Sequence, residues 1–137
     1  MAAFSTYLEN ELLDHVLGGA AYTTPSPLYL ALFPADGGLE SGTITNELSG
    51  GGYARVAFTP GTHMGPASAG SIASTAELAF PEATADWNGG SDITHMAIMD
   101  AAAAGNVLIH GALTTPKTIS TGDVAKYSAG NLTVSLD

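Results

Sequence analysis

The histidines and acidic residues are the side chains of this chain whose types could support chemistry. Four histidines lie far apart in the sequence: His15, His63, His95 and His110. They lack the H-x-x-x-H spacing that brings two imidazoles to one helix face around zinc. His95 and His110 fall in neighbouring strand-like segments and could face each other, but two imidazoles lack the third ligand that a zinc site needs. The sequence therefore predicts no zinc site.

A short acidic stretch, DWNGGSD, is similar to the start of a calcium-binding loop. Asp86, Asn88 and Asp92 have the spacing of the first ligands of such a loop. The fifth position is Gly90, however, and the twelfth is Ala97, where an EF-hand needs a bidentate glutamate. We predict a turn in which Asp86 and Asn88 cap backbone amides, with an irregular calcium site as the minor alternative.

The motifs of nucleophilic catalysis and phosphate binding are missing from the sequence. It contains no G-x-S-x-G elbow and no cysteine, and no lysine or helix pattern follows Gly50–Gly52. Glu82 and Asp86 resemble the acid and base of a glycosidase, but an acid-rich chain contains such pairs by chance. We therefore expect a protein that is not an enzyme and that needs no cofactor.

The charge balance argues against a nucleic-acid partner. Thirteen acids oppose three basic residues, which gives a formal net charge of −10. The basic residues are Arg55, Lys117 and Lys126. Binding to DNA or RNA requires clustered lysine and arginine that neutralise phosphates. We expect no nucleic acid among the partners.

The N-terminal segment and the hydropathy pattern argue against export and membrane insertion. MAAFSTYLENELLDH carries acids where a signal peptide needs a basic start and an apolar run. Three prolines and a glycine pair interrupt the uncharged stretch between Asp14 and Asp36. A membrane-spanning helix needs roughly 20 mainly apolar residues in one piece. The sequence predicts synthesis in a cytoplasm and no membrane partner.

One amphipathic helix is predicted over residues 5–17. Apolar residues recur along it at four-residue spacing: Phe4, Leu8, Leu12 and Val16. Thr6 and Glu9 match a capping box, and the glycines at 18–19 are a stop signal. Because so short a helix is marginal by itself in water, its apolar face should pack on the sheet or on a neighbouring subunit.

The centre of the fold is predicted to be a hairpin of two apolar segments, Ile93–Met99 and Val107–Leu113. Glycine, asparagine and aspartate bound both segments, and their length is typical of buried strands. Both faces of the first are largely apolar, so it should be covered on both sides. Further strands are predicted at Leu28–Phe33, Tyr53–Phe58, 77–80, 124–127 and 132–136. The sequence predicts a mainly β protein, with residues 1–137 in one antiparallel, jelly-roll-like β-sandwich and one N-terminal helix.

Four segments carry a resemblance to a known family: LENELLDHVLGGAAYTTPSPLYLALF, ELSGGGYARVAF, FPEATADWNGGSDITHMAIMDAA and NVLIHGALTTPKTISTGDVAKYSAGNLTVSLD. In their content and order they resemble small virion proteins of tailed bacteriophages, usually labelled tail fibre or minor structural proteins. The likeness spans nearly the whole chain and contains no catalytic signature. It implies a structural role in the phage particle, after synthesis in the cytoplasm of the bacterial host.

Two placements in the virion follow from this resemblance. We expect a homo-oligomer, a trimer by analogy, that binds the major capsid protein as a capsid-decorating or cement protein. The alternative is a tail-fibre or tail-tip component that contacts other tail proteins and binds a receptor or glycan, with Tyr22, Tyr53 and Trp87 as stacking platforms. A neighbouring subunit would also order the long loop at 35–52. The residues expected at such contacts are Phe4, Leu8, Leu12, Tyr53, Arg55 and Trp87.

Overall fold

The computed structural model describes residues 2–136 and is mainly β with one N-terminal helix, as predicted. The strands are β1 (Ala2–Phe4), β2 (Leu28–Phe33), β3 (Val56–Phe58), β4 (Ser71–Ala73), β5 (Leu78–Ala79), β6 (Ile93–Met99), β7 (Val107–Lys117), β8 (Lys126–Tyr127) and β9 (Thr133–Ser135). Helix α1 spans Thr6–Leu13 and continues into a π-helical turn at Asp14–Gly18. Two 3-10 turns cover Leu39–Ser41 and Trp87–Gly90. No helix within residues 2–136 has the length and hydropathy to cross a bilayer.

The β6–β7 hairpin lies at the centre of the fold, which confirms the sequence prediction. It belongs to an antiparallel sheet of five strands with the order β1-β7-β6-β2-β3. Strand β2 pairs with β6 from Tyr29 opposite Met99 to Phe33 opposite His95. Two two-stranded ribbons, β4–β9 and β5–β8, complete the described structure. Each ribbon joins segments that are far apart in the sequence, so both ribbons depend on the tertiary fold.

Apolar side chains cover both faces of the central sheet, because successive residues of a strand point to opposite sides. The face that packs against the two ribbons is here called the ribbon face. There Leu30, Leu32, Met96 and Ile98 of the sheet share one buried core with Leu78, Phe80 and Val134, which lie in or next to the ribbons. The opposite face, here called the helix face, buries Ala31, Phe33, Leu39, Ala97, Met99 and Val107. The prediction that β6 is covered on both sides is confirmed. The second layer of the sandwich consists of two short ribbons and not of one continuous sheet.

Strand β7 extends beyond the predicted end at Leu113. It continues through Pro116 to Lys117. Strand β1 pairs only with the β7 residues from Ile109 to Gly111, so the later part of β7 has no β1 neighbour on that side. A proline is tolerated at such an edge because no neighbouring strand requires its missing N–H.

The start of the predicted helix needs a correction. Phe4 belongs to β1 and pairs with Ile109, and the N-cap of α1 is Ser5 instead of Thr6. The Ser5 hydroxyl accepts a hydrogen bond from the Leu8 backbone N–H at 3.3 Å and donates one to the Val107 carbonyl. The chain therefore passes from β1 into α1 at the fully buried Ser5, whose hydroxyl bonds both a backbone N–H of the helix and a backbone carbonyl of β7.

Replacing Ser5 with alanine is expected to lower the free energy of unfolding by about 2 kcal/mol, since the change removes an N-cap and leaves a buried carbonyl without its donor. The matched control is Thr6→Ala, because Thr6 is exposed and is not the N-cap. Urea unfolding followed by circular dichroism measures both variants. Equal losses for the two variants would contradict the assignment of Ser5 as the cap.

Candidate contact surfaces

Arg55 bonds to three residues that lie in two other segments of the chain: Glu47, Ala101 and Ala104. Its Nε donates to Glu47 Oε1 at 2.7 Å, and its Nη2 donates to Glu47 Oε2 at 2.6 Å. Its Nη1 donates to the carbonyls of Ala101 and Ala104, at 2.6 and 2.9 Å. The Arg55 side chain is 3% exposed and that of Glu47 is 14% exposed. The hydrogen bonds to Glu47 raise the pKa of Arg55 above its ordinary value, so the guanidinium stays charged.

This geometry gives Arg55 a structural task. The sequence placed it at a contact between subunits, but the guanidinium joins the 35–52 loop to the turn between β6 and β7. The physical reason is that Glu47 and two turn carbonyls supply acceptors for a planar group with five N–H donors. A neighbouring subunit would have to displace these bonds in order to use Arg55.

Tyr53 is fixed to the same loop. Its hydroxyl donates to Glu47 Oε1 at 3.0 Å and accepts from the Leu32 backbone N–H at 3.0 Å. Burial raises the pKa of Tyr53 well above its ordinary value. The phenol therefore stays neutral, and both hydrogen-bonding roles of its oxygen are occupied inside the protomer.

Trp87 lies in the core of the ribbon face and is 2% exposed. Its Nε1 donates to the Gly51 carbonyl at 2.8 Å, and the Tyr53 ring meets its ring edge-on at a centroid distance of 5.3 Å. Phe80 contacts it similarly at 6.1 Å. Gly51 has a φ of +58°, and a Cβ there would lie 3.0 Å from both the Ala85 carbonyl and the indole. Only glycine lets this loop approach the tryptophan so closely.

The predicted stacking platform for a glycan is therefore wrong for Trp87. An indole that is packed inside the core has no free face for a sugar ring, and the Tyr53 hydroxyl is held by Glu47. Large aromatic side chains bury much apolar area, and here that burial stabilises the folded protomer. Tyr22 is the member of the predicted platform that lies outside the core, half-buried near the N-terminal helix.

The histidine pair of the hairpin is offset. His95 lies opposite Ala112 and His110 lies opposite Ala97, so the two histidines are diagonal neighbours and not a direct cross-strand pair. The sequence left this pairing open, because hairpin register depends on the loop and its bulges, which the strand patterns alone do not specify.

The acidic stretch forms a hydrogen-bonded turn. Asp86 Oδ1 accepts from the Thr121 backbone N–H at 2.9 Å and from the Thr121 hydroxyl at 3.1 Å. Asn88 Nδ2 donates to the Asp92 carbonyl at 2.9 Å. Asp86 thus caps a backbone amide, as predicted, whereas Asn88 bonds a carbonyl. Within residues 2–136 no three histidine or acidic side chains are grouped as a metal site requires.

Apolar side chains occur along the whole of α1 and the π-helical turn that follows it, but they are buried only in the first part of α1. Leu8 is buried and Leu12 is half-buried. Further along, Leu13, Val16 and Leu17 are 58%, 73% and 80% exposed. We call residues 13–17 the apolar arm. The prediction that this helix face is buried therefore holds for Leu8 in the protomer, and burial of its end against a neighbouring subunit stays a prediction.

A cleft opens between the later part of β7 and the segment from β8 to β9. It contains adjoining cavities of about 560 and 290 Å³, which share Leu113, Thr114, Tyr127 and Asn131. Lys117 and Lys126 line the larger cavity, and no acidic residue of the described chain lines either one. We call this feature the basic cleft. Two of the three basic residues of a chain with a net charge of −10 therefore meet at one site.

Tyr127 lines both cavities, but its hydroxyl oxygen lies inside the protein. Its oxygen is buried and has no hydrogen-bond partner among residues 2–136. Burial raises its pKa to about 12. The phenol is thus a neutral donor at physiological pH.

The raised tyrosine pKa values predict loss of stability in alkali. A group whose pKa is higher in the folded state stabilises fully below its unfolded pKa, about 10 for tyrosine, and loses this contribution as the pH rises through the folded pKa. We expect the free energy of unfolding to fall between pH 10 and about 12, the pKa of Tyr127. The Tyr127→Phe variant should show a smaller fall, with Tyr53 responsible for the remainder. Urea titrations at several alkaline pH values measure this, and identical slopes for both proteins would contradict it.

Comparison with known proteins gives a family. A family model described as Podophage GP4 fiber I protein gp80 matches residues 3–135. No curated protein matches the chain. The matched region contains the central hairpin, the helix and both ribbons, and it agrees with the resemblance carried by the four sequence segments. The chain belongs to this family of phage fibre proteins and is a structural component of a phage virion.

Proposed function

We propose that this protein is a non-enzymatic fibre subunit on the outside of a podophage virion and that it works as a homo-oligomer. The fibre placement is supported by the description of the family, which names a fibre protein. The homo-oligomer is supported by the apolar arm. These two supports are independent, because one comes from sequence similarity and the other from exposure in the protomer.

The observation that carries the oligomer is the exposure of the arm. Leu13, Val16 and Leu17 project from a short helix end and leave three large aliphatic side chains in water. Single exposed apolar residues are ordinary on protein surfaces, whereas a contiguous group marks a contact site. If a partner covered the arm, each Å² of apolar surface removed from water would contribute about 25 cal/mol to the free energy of association. A second copy of the chain supplies such a cover without any other partner.

Decoration of the capsid is the second candidate. The feature that favours it is the fold. Residues 2–136 fold around one five-stranded sheet, and the longest α-helix among them has eight residues. Such a unit suits attachment to a surface, and trimers at three-fold positions of the head would bind the major capsid protein. A fibre subunit would instead bind tail proteins, with a receptor or glycan as a further partner.

Imaging of virions distinguishes the two placements. Purified particles would be labelled with an antibody against this chain and examined by cryo-electron microscopy, with copy number measured by quantitative mass spectrometry. Label on appendages at low copy number supports the fibre proposal, and label spread over the head supports decoration. Absence of the chain from purified particles would contradict both.

A further inference from the structure

Two surface features of the protomer have complementary chemistry. The apolar arm presents Leu13, Val16 and Leu17 together with the exposed carboxylate of Asp14. The arm also forms the C-terminal end of the helical segment, where the backbone carbonyls carry partial negative charge. The basic cleft has apolar walls, among them Leu113, and two lysines on its rim. An apolar and acidic segment thus matches an apolar and basic cleft.

The arm lies away from the cleft of its own protomer. Helix α1 contacts β7 and the Leu39–Ser41 turn, and Leu39 belongs to the core of the helix face. The helix begins beside Val107 and Leu108, at the first residues of β7. The cleft is lined by residues of the ribbon face and by the last part of β7. The two features therefore occupy opposite sides of the sheet and opposite ends of β7.

We infer that the apolar arm of one copy lies in the basic cleft of a neighbouring copy. This inference rests on the proposed homo-oligomer and names its interface. Because the arm and the cleft are different surfaces, the contact is heterologous: repetition gives a closed ring when the rotation closes and a filament when it does not. A closed ring of three copies would be the trimer that we expect by analogy.

Two contacts define the interface. The aliphatic side chains of the arm pack against Leu113, Ile119 and Val124, of which Val124 is 47% exposed in the protomer. Asp14 pairs with Lys117, which has no salt-bridge partner among residues 2–136, whereas Lys126 already lies 3.3 Å from Glu77.

Single substitutions test each half of the contact. Leu17→Asp damages the arm and Lys117→Glu damages the cleft, and both sites are exposed, so the protomer fold should persist in thermal unfolding. We expect each change to raise the dissociation constant of the oligomer at least about tenfold in sedimentation velocity. The control is Ala102→Glu, which adds negative charge at the turn between β6 and β7, at the other end of the hairpin from the cleft. It should leave the dissociation constant unchanged.

Mixing the two defective variants is the decisive experiment. The Leu17→Asp chain keeps an intact cleft, and the Lys117→Glu chain keeps an intact arm. We expect neither to associate alone and an equimolar mixture to form a 1:1 dimer that grows no further. The double variant Asp14→Lys with Lys117→Glu should regain part of the wild-type association through the exchanged charges.

The other outcomes overturn the inference and remain distinguishable from failure of the proposed function. Wild-type protein that stays monomeric at high concentration would remove the homo-oligomer as well. An oligomer weakened by Leu17→Asp but not by Lys117→Glu would indicate contact between two arms. Saturable binding of glucuronate to the cleft, seen by NMR at Tyr127, with association insensitive to Lys117→Glu would assign the cleft to an acidic saccharide.

Discussion

Replacing Trp87 with alanine is expected to lower the free energy of unfolding by about 3 to 5 kcal/mol, as for other large aromatic side chains removed from a core. The indole fills the ribbon face between Tyr53 and Phe80, and its N–H is the donor for the Gly51 carbonyl. The variant thus loses apolar burial and a buried hydrogen bond, and a cavity remains. Chemical unfolding followed by circular dichroism measures the loss, which is a large share of the usual stability of a domain.

Trp87→Phe is the control for this prediction. It keeps an aromatic ring in the core and removes the N–H donor, so its loss should be smaller than that of the alanine variant. If Trp87→Ala unfolded with the same free energy as wild type, the indole could not lie in the core. That result would return Trp87 to the surface, where a glycan could stack on it.

Replacing Arg55 with methionine is expected to lower the free energy of unfolding by about 3 kcal/mol, because removal of one partner leaves a poorly solvated charge without its counter-ion. Glu47 would lose the guanidinium, and the carbonyls of Ala101 and Ala104 would lose their donors. The 35–52 loop and the turn between β6 and β7 would then separate. Urea unfolding measures the stability, and hydrogen exchange measures the opening of the two segments.

Lys126→Met is the matched control, because it breaks the surface ion pair with Glu77, in which both side chains are about half exposed. Such a pair contributes roughly 0 to 1 kcal/mol. The double variant Arg55→Met with Glu47→Leu should recover much of the loss, since it removes both charges. Equal effects of Arg55→Met and Lys126→Met would contradict the structural task assigned to Arg55.

The few basic residues of the chain divide into two tasks. Arg55 holds the protomer together, whereas Lys117 and Lys126 line the cleft. This division matters for assembly, because copies with a net charge of −10 repel one another. An interface that places an acidic segment on the cleft uses the basic residues that remain at the surface.

Local patterns in the sequence determined the fold class and the main elements. The apolar run Leu28–Phe33 became β2 with the predicted bounds, and Ile93–Met99 became the central strand β6. The four-residue repeat gave the N-terminal helix, although its first member, Phe4, lies in β1. Such features are readable because burial follows the period of the strand or helix along the chain itself. The family was also readable, since its segments follow one another in a characteristic order.

Only the tertiary structure decided which side chains meet across the sheet and the loops. The bonds of Arg55 to Glu47 and to the 101–104 turn join three segments, and no local pattern specifies them. The burial of Trp87 depends likewise on Gly51, which lies 36 residues earlier in the chain. The basic cleft brings Lys117 and Lys126 together from separate strands. The physical reason is that such contacts depend on strand order, register and loop approach, which arise when distant segments pack, whereas the periodicity of a sequence reports only which face of an element is apolar.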